Sequence, residues 1–136
     1  MADRFVQVEI VTPRRVAFKG DVTSISVPGA SGGFQVLHNH APLLAALTIG
    51  MVKLHEADGT ERRFAVSGGF VEVRENKVVM LADAAERTDE IDRDRAVAAR
   101  DRAEKRLAEK KPDLDFERAK LSFSRAVNRL RVLPVE

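Results

Sequence analysis

Three groups of residues in this 136-residue chain have the types and spacing to do chemistry. The first is the histidines at 38, 40 and 55. His38 and His40 alternate, so on an extended segment they would share a face, as metal ligands must. No carboxylate lies close to them in sequence, however, and Pro42 follows, while His55 stands before a turn on a polar strand face. Surface or loop-ordering histidines fit these positions better than a metal site. The second group is Ser67-Gly68-Gly69. It lacks the GxGxxG and GxxxxGK[ST] spacings of phosphate loops, and no helical pattern follows to offer its amino terminus to an anion. A glycine pair between two strands, permitting positive φ or close backbone approach, is the expectation. The third group is four arginines. Arg95 and Arg102 lie seven apart, two turns along one helical face, and Arg125 and Arg129 lie four apart on a second helix. Folding the two helices together could converge four guanidiniums on a polyphosphate. Any arginine-rich helix meets that spacing, and intrahelical pairs such as Asp92–Arg95 and Asp101–Lys105 would hold the same residues as a solvated face, so both readings stand. No base lies beside a nucleophile, and no catalytic residue is expected.

Composition narrows what can position these groups. The chain has no cysteine, which excludes disulfides, a thiol nucleophile and cysteine-held metals. It has no Trp or Tyr, so base stacking would depend on seven Phe and the histidines, a poor supply. No run approaches the roughly 18 apolar residues of a membrane-spanning helix. The opening Met1-Ala2-Asp3-Arg4 lacks the layout of a secretory signal, which favours the cytoplasm. Residues 1–86 carry 9 Lys/Arg and 10 Asp/Glu, whereas residues 87–136 carry 14 and 11, and all eight glycines lie at or before Gly69. That break divides the chain near Ala84–Thr88 into a part at 1–86 and a part at 87–136. The basic half interleaves its charges, so its net +3 gives few phosphate contacts and no nucleic-acid partner is expected; the alternative readings are a basic helical hairpin that binds nucleic acid and a cytosolic adaptor module.

The first part has the period of strands. Val6, Val8 and Ile10 alternate with Gln7 and Glu9, and Thr23, Ile25 and Val27 alternate with Ser24 and Ser26 before Pro28-Gly29. Val52 and Leu54 lead into Asp58-Gly59, Phe64 and Val66 follow, and Val71 and Val73 precede Glu75-Asn76 and the run Lys77–Ala82. Eight or more short strands with one face each to cover predict an antiparallel β sandwich or flattened barrel, since only a second sheet is available to cover them.

The second part predicts a two-helix antiparallel hairpin over about 88–132. Thr88 or Asp89 would cap a first helix running to about Lys110, stopped by Pro112, with Ala96, Ala99, Ala103 and Leu107 as its stripe. Asp113 or Asp115 would cap a second, with Phe116, Ala119, Phe123, Val127 and Leu130 as its apolar face and Pro134 as its stop. An alanine stripe buries little area per turn, so the hairpin should hold weakly to the rest of the chain and move relative to it.

The chain resembles the epsilon chain of F-type ATP synthases, the counterpart of the mitochondrial delta subunit, over essentially its whole length. Three blocks in order carry the resemblance: Val27-Pro28-Gly29 with Phe34, Val36-Leu37 and His40-Ala41-Pro42-Leu43-Leu44; Ala65 to Val73 with Asn76-Lys77-Val78 and Leu81-Ala82-Asp83; and Ile91-Asp92-Arg93-Asp94-Arg95-Ala96. The resemblance implies a non-catalytic rotor subunit at the cytoplasmic membrane face. Its sandwich would bind the gamma subunit and the c-ring, and its hairpin would reach towards the beta subunits to suppress ATP hydrolysis. It implies no required cofactor. It implies a regulatory ATP site at Glu86, Ile91, Asp92, Arg95, Ala96, Arg102, Arg125 and Arg129, Ile91 and Ala96 lining an adenine slot and Asp92 accepting from its amino group. It also implies a c-ring-facing loop at Gly33, Phe34, His38, Asn39 and His40. That loop departs from the family pattern, where an acidic residue is common at Gly33 and Pro-Gly stands in place of His38-Asn39.

Overall fold

The computed structural model describes residues 4–134, so Met1, Ala2 and Asp3, on which the signal-sequence expectation rests together with Arg4, lie outside it. Two compact units follow one another, Met1–Arg87 and Thr88–Glu136.

The first unit holds seven strands: β1 (Val6–Val11), β2 (Val16–Val27), β3 (Phe34–Val36), β4 (Leu43–Glu56), β5 (Glu61–Arg74), β6 (Lys77–Ala82) and β7 (Ala85–Arg87). Five of them, in the order β1-β6-β5-β4-β2, close on themselves because β1 pairs with both β6 and β2. The remaining two attach outside this ring, β3 to β2 and β7 to β5. Strands that alternate in direction cannot close a ring of odd number without one parallel contact. The β1–β6 ladder, Gln7↔Lys77 to Val11↔Leu81, is that contact, and the other ladders are antiparallel.

Expected short strands turn out to be fewer and longer, because β4 and β5 each run 14 residues and β5 continues through the expected break at Ser67-Gly68-Gly69. Ser67-Gly68-Gly69 does not separate two strands but bends one. On the carboxyl side of the pair β5 buries Val71 and Val73, on the amino side Phe64 and Val66, so the inward parity slips across the glycines. Its neighbour β4 slips alike, burying Leu47 and then Gly50, Val52 and Leu54. Both strands thus turn the corner of the sandwich and belong to each of its sheets in turn. At the bend β5 also changes partner, from β6 at Gly69↔Ala82 to β7 at Val66↔Ala85. Gly68 and Gly69 have φ of 79° and 115°, and a Cβ on Gly69 would overlap the Leu81 carbonyl oxygen. Only glycine satisfies both demands.

The core holds the residues the alternation marked, Val6, Val8, Ile10, Ile25, Val27, Val52, Leu54, Phe64, Val66, Val71 and Val73, with Phe18 edge-on to Phe64, and adds Val78 and Met80 of β6 together with Ala17, Val36, Leu47, Ala82 and Ala85, which no alternation singled out. Thr23 is the exception. A register shift between Val22 and Ser24 turns it outward and puts Val22 inside.

The second unit opens with a 3-10 turn at Thr88–Glu90, followed by α1 (Arg93–Glu109) and α2 (Phe116–Val132). The first cap is Asp92, not Thr88 or Asp89, because the 3-10 turn takes up the residues between the last strand and the helix; its carboxylate accepts from Arg95 N at 3.1 Å. Asp115 caps α2 in the same way through Arg118 N at 3.1 Å. Each helix has 17 residues, about 25 Å at 1.5 Å per residue. Lys110, in the left-handed region with φ 48°, ends α1, and α2 packs back along it. Arg93 Nη2 donates to Pro134 O at 3.1 Å, tying the end of the hairpin to its start. Small residues seven apart form the buried stripe, Ala96 and Ala103 on α1 and Ala119 and Ala126 on α2, and α2 also buries Asn128 and Val132 near its end. Phe116, expected on the apolar face, is 52% exposed, because close helix approach favours the alanine stripe over bulkier rows.

Candidate functional site

At one end of the first unit, the segment after β3 builds a compact loop. Phe34 is half-buried in β3, pairs with Val27 and packs its ring near Gly29 in the core; Gly33 leads into it. His38 and Asn39 form a turn in which Asn39 has φ 65°, so the segment is not the extended one on which alternation would place the two histidines on one face. His40 N donates to Leu37 O at 3.3 Å, and His40 Nδ1 donates to Ala41 O at 2.6 Å. Leu37 points outward, 51% exposed. Sequence reasoning missed the partner of this loop. Asn76, in the β5–β6 turn with φ 60°, accepts from Asn39 N at 2.6 Å and donates through Nδ2 to Asn39 Oδ1 at 3.2 Å.

A second missed feature is apolar. Leu44, Phe70 and Leu81 are 71%, 59% and 56% exposed. Ala46 pairs with Phe70 and Phe70 with Leu81 across adjacent strands, so the side chains form one outward row over β4, β5 and β6, with Leu44 two residues further along the same face of β4. The signal was in the sequence: Phe70 stands in register with Glu72 and Arg74, at an outward position otherwise given to charge.

On the opposite register of the unit a polar row crosses β2, β4 and β5. Ser24 Oγ lies 3.2 Å from His55 Nδ1, His55 Nε2 lies 3.3 Å from Glu61, and Glu61 accepts from Arg63 Nε at 2.9 Å. The Arg63 hydrogen bond holds the Glu61 carboxyl below its ordinary value. Among the described residues no three His, Asp or Glu side chains converge to hold a metal ion.

Of the residues expected to bind nucleotide, Glu86 lies in β7 of the first unit and the other seven lie in the second. Ile91 and Ala96 are buried, 9% and 3% exposed. Arg95, Arg102 and Arg125 are exposed and Arg129 is half-buried. Asp92 already engages one carboxylate oxygen as the cap of α1. The intrahelical pairing differs from expectation, since Asp101 accepts from Arg100 Nε at 3.1 Å and Lys105 reaches Glu109 at 3.9 Å.

The two units correspond to two family descriptions. Residues 5–88 match the beta-sandwich domain of the ATP synthase Delta/Epsilon chain, and residues 89–133 match its long alpha-helix domain. The chain belongs to the ATP synthase delta/epsilon chain family. That makes it a non-catalytic subunit of an F-type ATP synthase. Among its relatives, the ATP synthase epsilon chain of Syntrophomonas wolfei is 41% identical over 131 residues, covering 96% of both chains. That of Halalkalibacterium halodurans is 48% identical over 128 residues, covering 93% of this chain and 96% of its own. The fold is shared with a chain of the Euglena gracilis mitochondrial ATP synthase, with a TM-score of 0.83 at 16% identity, covering 96% of this chain and 82% of that one. A central-stalk and c-ring structure from Tetrahymena thermophila gives a TM-score of 0.60 at 18% identity, covering 95% of this chain and 96% of that one. No helix of the described residues is long and apolar enough to cross a membrane.

Proposed function

We propose that this subunit couples the central stalk of the synthase to its membrane ring, and that its helical hairpin restrains ATP hydrolysis. The observation that carries the coupling role is the outward row Leu44, Ala46, Phe70 and Leu81. Three large apolar side chains together on a sheet face are costly to leave in water, and burying them against a partner lowers the free energy by about 25 cal/mol per Å². In this reading the row receives the gamma subunit, and the loop with Gly33, Phe34, His38, Asn39 and His40 meets the c-ring, on the cytoplasmic side of the membrane. The chain then turns with the shaft, linking ion flow to ATP synthesis in the alpha–beta head.

The hairpin supplies regulation. Its mostly alanine core leaves bulkier and basic side chains outward, suited to a second resting place against the beta subunits. Nucleotide would bias that choice if Arg95, Arg102, Arg125 and Arg129, with Glu86, Ile91, Asp92 and Ala96, gather on ATP. The test compares ATP hydrolysis by the complete soluble head carrying the intact chain with that of a head carrying the chain ended at Glu86. Faster hydrolysis with the shortened chain is expected, and equal rates at several ATP concentrations would remove the inhibitory role. For coupling, Phe70→Glu should abolish capture of gamma while leaving the circular dichroism of the sandwich intact; undiminished capture would reject the assigned face. Titration with ATP–Mg in a calorimeter decides the nucleotide site, where absence of heat at millimolar ATP rejects it.

A further inference from the structure

We infer that Asn39 and Asn76 form an amide clamp that sets the position of the 37–42 loop, with Asn76 acting as a positioning residue for the contact that loop makes. The inference rests on the reading that this loop faces the c-ring. Three observations converge on it. Asn39 has φ 65° and Asn76 has φ 60°, the left-handed conformation that asparagine tolerates better than other side-chain-bearing residues. The two side chains then meet reciprocally, Asn76 Oδ1 accepting from Asn39 N at 2.6 Å and Asn76 Nδ2 donating to Asn39 Oδ1 at 3.2 Å. Finally, Asn76 is itself anchored, since its carbonyl oxygen accepts from Gln7 N at 2.9 Å at the start of β1.

The chain of contacts therefore runs from the β1–β6 seam, through the β5–β6 turn, to the loop that carries exposed Leu37 and half-buried His38 and His40. Glycine at position 39 would serve the same backbone conformation but would lose the Asn39 Oδ1 acceptor. Asn39 thus adds a second hydrogen bond to the one its backbone makes. A loop held by two such bonds keeps its exposed leucine in one place, so a partner that meets it need not order it first.

The test uses three variants of the full chain, Asn39→Gly, Asn76→Gly and the double variant. Glycine accepts the positive φ at both positions, so backbone strain does not confound the result. Amide exchange at Leu37–Ala41 should rise roughly two- to tenfold in Asn39→Gly, which loses one hydrogen bond, and further in Asn76→Gly, which loses both. The double variant should exchange no faster than Asn76→Gly alone, because the pair acts as a unit. Exchange in β4 and β5 should stay as in the parent chain. In reassembled synthase, ATP-driven proton pumping per ATP hydrolysed should fall in the order parent, Asn39→Gly, Asn76→Gly. Unchanged loop exchange in Asn76→Gly overturns the clamp. Faster exchange with unchanged pumping per ATP overturns the positioning role. If synthase reassembled with the parent chain pumps no better than synthase lacking the chain, the coupling reading itself fails, a result that does not depend on either asparagine.

Discussion

Gly69 is the residue on which the corner of the sandwich depends, since it combines φ of 115° with a backbone neighbour where a Cβ would lie. Gly69→Ala should destabilise the unit by about 2–4 kcal/mol, read as a lowered denaturant midpoint at constant slope. Two carboxylates report on acid stability. Asp58, in the β4–β5 turn, accepts from Thr60 N at 2.9 Å, and that bond holds its carboxyl below the ordinary 3.8. Glu61 is lowered first by Arg63. A carboxyl whose folded value lies below its unfolded one stabilises the fold at pH above the unfolded value, and the gain disappears as pH falls through the folded value. The stability difference between the parent chain and Asp58→Asn should therefore be constant above about pH 5 and shrink below 3.8. A difference independent of pH down to pH 2 would show that the turn hydrogen bond does not discriminate the charged form.

At the scale of elements, the hairpin is a close pair of helices built on small residues. Ala103 is 3% exposed, with Ala96 and Ala119 equally covered, so there is little room for more volume. Ala103→Leu should cost about 1–3 kcal/mol and loosen the pair, whereas the same change at exposed Ala98 should be nearly neutral. Thermal loss of the helical circular dichroism signal distinguishes the two. The caps are equally local: Asp115→Ala should cost about 1 kcal/mol by removing the acceptor for Arg118 N. In the strands, the alternation of Val6, Val8 and Ile10 or of Val71 and Val73 was readable because a strand with one covered face has no other way to arrange its side chains. The corner was not readable, because a glycine pair looks alike whether it ends a strand or bends one. Only the partner strands, β6 on one side and β7 on the other, distinguish the two.

For the whole molecule, two compact units of different make-up imply unequal stability. The first closes its strands in a ring around large aliphatic side chains, while the second buries mostly alanines, with Asn128 and Val132 near the end of α2, and depends on its caps. Amide protection across Arg93–Val132 should be lower than across β4 to β6 by roughly tenfold or more, as local opening free energies follow buried apolar area. Equal protection in both would argue against a hairpin that changes its resting place.

Composition and period alone determined the order of parts, strands followed by two helices, and most of the core, because burial of apolar side chains imposes a period that each segment carries in itself. The three matching blocks determined the family. The tertiary structure decided which residues meet across long separations in sequence. The parallel β1–β6 seam, the Asn39–Asn76 clamp and the row Ala46–Phe70–Leu81 all join positions that no local pattern connects. Ring closure and strand register set those meetings, and both are properties of the assembled sheet, not of any strand within it.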